Sequence, residues 1–284
     1  MNYLRILYSF TSDDITTTII PITLFAVVAG PLCTIQRCTH IIFWIWLHLL
    51  QFNVANQIID PQEDGKNKSS RPIPSGQINV EDAVVLRWAL VPVCLATSAY
   101  YSSKVFGISF VLALFIIMYN ELDAHWHWVS KNFITAVGYA CFEIGSTLIA
   151  GKDMSRLEPT AVSAIIMSLA VFVSTLHAQD FRDIEGDRLI GRQTLPIAFP
   201  NFARTSMFIC LPLWSIYLSR VWGVDIFCTS AFTAFAAMVG LRFMTCNTPQ
   251  AARRSCKLYC LWFSVAHLLP AYWRYFHETQ TYSF

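Results

Sequence analysis

Nine apolar runs, at 15–34, 38–59, 80–102, 106–120, 131–150, 159–180, 202–220, 225–243 and 256–276, follow one another along the 284 residues. Most approach the roughly 20 residues a helix needs to cross a hydrocarbon core. The chain is therefore predicted to be all-α, an integral membrane bundle of about nine transmembrane helices. Composition agrees: 13% of residues are charged, against about 25% in soluble proteins. Pro92, Pro212, Pro270 and His177 interrupt the runs, as expected of helices that pack on other helices. Aromatic residues make up 14%, which suits interfacial belts and an apolar internal cavity equally well.

With nine spans, the N-terminal segment and the loops after even-numbered spans share one side. That side carries thirteen Lys and Arg against six on the other, so the positive-inside rule makes it cytosolic. No cleavable leader is evident ahead of the first run, which follows the polar TSDD at 11–14. The nine cysteines are scattered without a CxxC pair and read as small hydrophobes. Basic residues are spread over loops rather than gathered in a patch, so no nucleic-acid partner is expected.

Two polar stretches stand out against this background. At 56–76, NQIIDPQEDGKNKSSRPIPSG spaces Asn56, Asp60 and Asp64 four residues apart; at 179–196, QDFRDIEGDRLIGRQTLP does the same with Gln179, Asp183 and Asp187. Asp180 adds a further acid to the second. Each stretch trails into basic residues and a proline, and each lies at the cytosolic end of an even-numbered span. The pairing predicts a single domain over 1–284 built from two pseudo-repeats, roughly 15–150 and 151–276. Carboxylates four apart share a helical face, and their hard oxygens suit Mg²⁺, which binds through a few carboxylates plus substrate phosphates. Lys and Arg nearby can take the remaining phosphate oxygens. Acid clusters at membrane ends are commonly mere solvated loops, but a matched pair argues for a shared site. Pro61 is expected to end or restart the helix directly after Asp60.

These residues resemble the UbiA superfamily of intramembrane prenyltransferases: N-x3-D-x3-D followed by NK…RPIPSG, and DxxDxxxD followed by GRxTLP. The resemblance covers nearly the whole chain. It implies a central cavity under a cytosol-facing cap and Mg²⁺-dependent ionisation of a prenyl diphosphate. By the same resemblance Asn56, Asp60 and Asp64 form one metal–diphosphate arm, and Asp180, Asp183 and Asp187 the other, with Gln179 where many members have Asn. Lys68, Arg71, Lys131 and Arg192 fall where the family clamps the diphosphate. Members that prenylate hydroxybenzoate-type acceptors carry an arginine motif entering the first helix. Here that region reads TSDDITTTIIPITLFAVVAG, with no arginine. The N-terminal segment and the exact forms of both motifs are similar to a fungal branch with terpene cyclases of the fumagillin bergamotene-synthase type. The expectation is cyclisation of a prenyl diphosphate, such as farnesyl diphosphate, to a sesquiterpene at the endoplasmic reticulum membrane. The alternative is prenyl transfer to an aromatic or other small acceptor. A cation transporter would instead need intramembrane charges along a path, whereas most charges here sit at one face.

Smaller features leave alternatives open. DAHWHW at 123–128 reads as an interfacial loop, since no third metal ligand is evident. His177 either bonds the second arm, accepts a proton late in the reaction, or packs between helices. Glu143, an acid within an apolar run, is a candidate cavity residue. Tyr119, Asn120 and Glu121 line either the cavity or its rim.

Overall fold

The structure, a computed structural model, describes residues 3–30, 32, 34–59, 61–245 and 248–278. The first half contains α1 (Tyr3–Thr11), α2 (Ile20–Ala29), α3 (Gln36–Ile59), the short α4 (Pro61–Asn67), α5 (Val80–Tyr101), α6 (Ser103–Asn120) and α7 (Trp128–Ala150). The second half contains α8 (Pro159–Thr175), the short α9 (Ile184–Leu189) and α10 (Leu195–Ala198), then α11 (Pro200–Val221), α12 (Ile226–Thr245) and α13 (Pro249–Trp273). No strand occurs among the described residues; a lone bridge joins His127 to Gln193.

Among the described residues seven helical segments are long and apolar enough to cross a membrane. The other two expected spans are also helices, α11 with 22 residues and α13 with 25, but Arg204, Arg220, Arg253, Arg254 and Lys257 make them more polar. The first segment differs from expectation. Helical structure begins at Tyr3, well before residue 15, and runs to Ala29 through a 3₁₀ turn at Ser12–Asp14 and a π turn at Ile15–Ile19. The polar TSDD is thus inside the helix rather than ahead of it, because its acids find partners on neighbouring elements.

Local chemistry marks the ends of the elements. Asn79 caps α5 by accepting from Asp82 N–H at 2.7 Å, Ser102 caps α6 through Val105 N–H, and Thr248 caps α13. Proline opens α8, α11 and α13, where its missing N–H costs nothing. Around the bundle α3 packs on α5, α5 on α6, α6 on α7, α7 on α8, α8 on α11, α11 on α12 and α12 on α13. The circle closes because α2 lies against both α13 and α3, and it also packs on α7. This layout leaves a hollow between α3, α6, α7 and the N-terminal segment, and both acidic stretches meet over its open end.

Candidate active site

One hollow, lined by polar and apolar residues together, has about 1100 Å³ of empty volume, its open mouth included. Asn56, Lys68, Arg71, Lys131, Gln179, Asp180, Asp183 and Arg192 all line it. These are eight of the residues singled out from sequence, gathered from positions far apart in the chain. Deeper in, the wall is apolar: Leu49, Phe52, Leu112, Phe115, Ile116 and Phe142. A polar mouth over an apolar well fits an amphipathic ligand with a charged head and a hydrocarbon tail.

The first arm breaks where Pro61 requires. Asn56 sits in the last turn of α3, and the chain restarts at Pro61 as α4. Asp60 lies outside the described residues. Asp64, on α4, is buried behind the cavity wall and held by Arg71, whose Nη1 donates to Oδ1 and Oδ2 at 2.8 and 2.9 Å. Asp13, from the N-terminal segment, lies 3.6 Å from Nε of the same arginine.

The second arm departs from the expected single helical face. After Thr175 the chain tightens into 3₁₀ turns at Leu176–Ala178 and Asp180–Arg182 before α9 begins. In a 3₁₀ turn residues three apart eclipse one another, so Asp180 and Asp183 both face the cavity. Asp187, on α9, is instead buried behind Arg192, whose Nη1 donates to Oδ1 at 2.8 Å. A backbone seam fixes this loop: Trp128 N–H donates to Gln193 O at 2.9 Å, and Gln193 N–H donates to Trp126 O at 3.0 Å. Lys131, one turn into α7, thereby stands beside the second arm and donates from Nζ to Asp180 Oδ1 at 2.6 Å.

The arms also touch each other. The first arm's α4 packs on α9 of the second, and Lys68 Nζ lies 3.7 Å from Asp183 Oδ2, which Arg182 Nε approaches to 3.3 Å. Burial pushes the Asp183 carboxyl up, but Lys68 and Arg182 outweigh it and hold the group down at about 2. Burial wins at Asp187, which is pushed up to about 6 against the pull of Lys131 and Arg192. Among the described residues no three His, Cys, Asp or Glu side chains form a ready-made cation cage. Each described arm carboxylate is matched with a basic residue instead.

Several residues enter the cavity that the motifs did not mark. Asp14, Thr18, Asn53, Tyr139 and Arg182 line it. Asn53 is one turn before Asn56 on α3, a spacing that could have flagged it; Asp14 is an acid bordering an apolar run. Tyr119 lines the wall, whereas Asn120 bonds the Ile116 carbonyl and Glu121 receives Arg87 Nε at 3.1 Å. His177 packs between helices, bonded to Ser206 Oγ at 2.9 Å. Glu143 is not a cavity residue: it is buried against Ser168 and His267. The segment 123–127 is a loop leading into α7, with His125 bonded to the Tyr119 carbonyl.

A model of the UbiA prenyltransferase family matches residues 18–265. The chain belongs to the UbiA prenyltransferase family. Among UbiA relatives, a fumagillin β-trans-bergamotene synthase of Aspergillus fumigatus is 31% identical over 275 residues, covering 96% of this chain and 93% of the relative. A diterpene cyclase of Hericium erinaceus is 28% identical over 268 residues (90% and 84%). A polyprenyl transferase of the same fungus is 30% identical over 226 residues (75% and 76%). In fold, a UbiA homologue from Archaeoglobus fulgidus bound to GPP and Mg²⁺ superposes with a TM-score of 0.66 at 15% identity, covering 95% of this chain and 99% of that one. The chain is thus a UbiA-type integral membrane enzyme, a terpene cyclase or a prenyltransferase.

Proposed function

We propose that this UbiA enzyme ionises a prenyl diphosphate with Mg²⁺ and closes the released hydrocarbon chain on itself, turning farnesyl diphosphate into a cyclic sesquiterpene. The observation that carries this reading is the cross-arm pair of Lys68 and Asp183, which brings both acidic stretches to one mouth above an apolar well. The similarity to the bergamotene synthase supports the cyclase form and a fifteen-carbon substrate.

The donor set suits Mg²⁺. It consists of hard carboxylate and amide oxygens, and the Oδ2 atoms of Asp180 and Asp187 are buried without a hydrogen-bond partner among the described residues. Such orphaned acceptors are costly unless a ligand completes them. Asn56, Asp60, Asp180 and Asp183 would hold the metal, which supplies charge neutralisation to the departing diphosphate. Asp64 and Asp187 would join them only as Arg71 and Arg192, which cover them, turn to the diphosphate. Lys68, Arg71, Lys131 and Arg192, with Gln179, hold the diphosphate oxygens by charge-assisted hydrogen bonds. The aromatic wall around Phe52, Tyr119 and Phe142 then shelters the allylic cation and excludes water. The excess of basic loops on one side supports a cytosol-facing mouth, and a diphosphate supplied from the cytosol favours the endoplasmic reticulum.

Transfer to a small acceptor is the second reading, supported by the polyprenyl transferase relative. Microsomes carrying the chain are to be given farnesyl diphosphate and Mg²⁺ without an acceptor, beside Asp60→Ala and Asp183→Ala. A cyclic C15 hydrocarbon, lost in both variants and on chelation with EDTA, is expected. A prenylated product that forms only with an aromatic acceptor would replace cyclisation by transfer. Equal behaviour of all three proteins would remove the two-arm site.

A further inference from the structure

One acid in the cavity wall stands apart from the rest in how it is held. Asp180 is paired with Lys131, and Asp183 with Lys68 and Arg182. Asp14 lines the same cavity, yet its oxygens are held by neutral donors: Thr17 Oγ1 donates to Oδ1 at 3.1 Å and Asn53 Nδ2 to Oδ2 at 2.9 Å. Among the described residues no cation lies within ion-pair distance of it. The Arg71 and Arg182 guanidiniums feel its charge, though from beyond that distance. The neutral donors fix its lone pairs without locking it in a salt bridge. Its charge is softened but still favours taking a proton from an electron-deficient carbon nearby.

Its depth also differs. Asn53 lies one turn inside Asn56 on α3, and its second amide N–H bonds the Phe10 carbonyl at 2.9 Å, which locks the N-terminal segment to the wall. One turn after Asp14, Thr18 Oγ1 meets Tyr139 OH at 2.8 Å. Tyr139 stands on α7 about 12 Å beyond Lys131 by helical rise. Asp14 therefore sits between the basic mouth and the apolar floor made by Phe52, Leu112 and Phe142. The local cause is the irregular path of the N-terminal helix. The 3₁₀ turn at Ser12–Asp14 and the π turn at Ile15–Ile19 rotate Asp14 and Thr18 off the apolar stripe, a distortion often found at functional sites.

We propose that Asp14 is the carboxylate that takes the proton lost when the product forms. The inference rests on the ionising reaction given above and adds its last step. The carbon–oxygen bond to the diphosphate breaks with its electron pair on oxygen. An alkene pair of the same chain closes the ring, leaving a cation on a ring or side-chain carbon. A hydrogen next to that carbon leaves as a proton to Asp14, and its bonding pair becomes the new double bond. The proton then passes to water at the open mouth. In a transfer to an aromatic acceptor, the displaced ring proton takes the same route.

The test measures diphosphate release and prenyl products together in membranes containing wild type, Asp14→Asn or Asp14→Glu, with farnesyl diphosphate as the probe. Asp14→Asn is expected to release diphosphate within about threefold of wild type while hydrocarbon falls about 100-fold, the range of general-base effects, and water-captured prenyl alcohol rises. Asp14→Glu is expected to recover part of the hydrocarbon. Unchanged hydrocarbon per diphosphate in Asp14→Asn overturns the assignment. Loss of diphosphate release in both variants also overturns it, since Asp14 would then serve the diphosphate site. Should wild type release diphosphate and make no hydrocarbon, cyclisation itself falls. The same ratio is then read on whatever prenyl product forms in its place, so the two failures separate.

Discussion

At Lys131 one ammonium holds Asp180 at 2.6 Å in a wall where a lone carboxylate would be expensive to bury. In the proposed reaction that ammonium also meets the diphosphate. Lys131→Met keeps the length of the side chain and removes the charge. It is expected to lower kcat/KM for the prenyl diphosphate about 10- to 100-fold, the loss of a charge-assisted contact worth roughly 1.5–3 kcal/mol; steady-state kinetics in detergent micelles check this. At this scale the motifs told most of the story. Eight of the ten described site residues named from sequence reach one cavity, because spacing and charge are local properties that the chain displays openly. What stayed hidden is the division of labour. Asp64 and Asp187 support Arg71 and Arg192 from behind rather than facing the cavity. Asp14 gains its place through Asn53, a partner 39 residues away that no local pattern reveals.

Elements are held at close approaches and by their caps. A Cβ on Gly240 would lie 2.8 Å from Phe208 Cα and 3.1 Å from Met207 O, so α11 and α12 touch nearly backbone to backbone there. Gly240→Ala must push two helices apart and is expected to cost about 1–3 kcal/mol of stability, read as a lower melting temperature in detergent. At the other end of the bundle Asp225 accepts from the N–H groups of Phe227 and Cys228 at 2.9 and 3.0 Å and from Tyr272 OH at 2.9 Å. These bonds, Cys228 N–H foremost, hold its carboxyl down at about 2. A depressed carboxylate contributes stability above its unfolded pKa of about 4 and loses it as pH falls toward 2. The melting difference between wild type and Asp225→Ala is therefore expected to be full at neutral pH and to shrink below about pH 4; a difference independent of pH would refute the assignment. The apolar runs disclosed the long helices well, since length and hydropathy decide a span. They missed the start at Tyr3, because Asp13 and Asp14 read as solvent-facing until Arg71 and Asn53 are placed beside them.

For the molecule as a whole, the excess of Lys and Arg predicts that the loops bearing both arms face the cytosol and that 151–158 faces the opposite compartment. Ser75 and Ser155 are exposed on these two sets of loops. In sealed microsomes a membrane-impermeant thiol reagent is expected to label Ser75→Cys and to reach Ser155→Cys only after permeabilisation; the reverse pattern would invert the protein. One feature of the mouth bears on its behaviour in a cell crowded with ions. Asp64 with Arg71 and Asp187 with Arg192 are neighbours in sequence as well as in space. Asp183 meets Lys68 of the other arm and Asp180 meets Lys131 of α7, so each described carboxylate of the arms already has a cation beside it. A mouth balanced in this way has little pull on stray phosphate or on a solitary divalent ion. In the proposed reaction a metal–diphosphate head group, which offers both signs at once, would exchange partners with every pair together, and the mouth would be a poor sponge but a discriminating receptor.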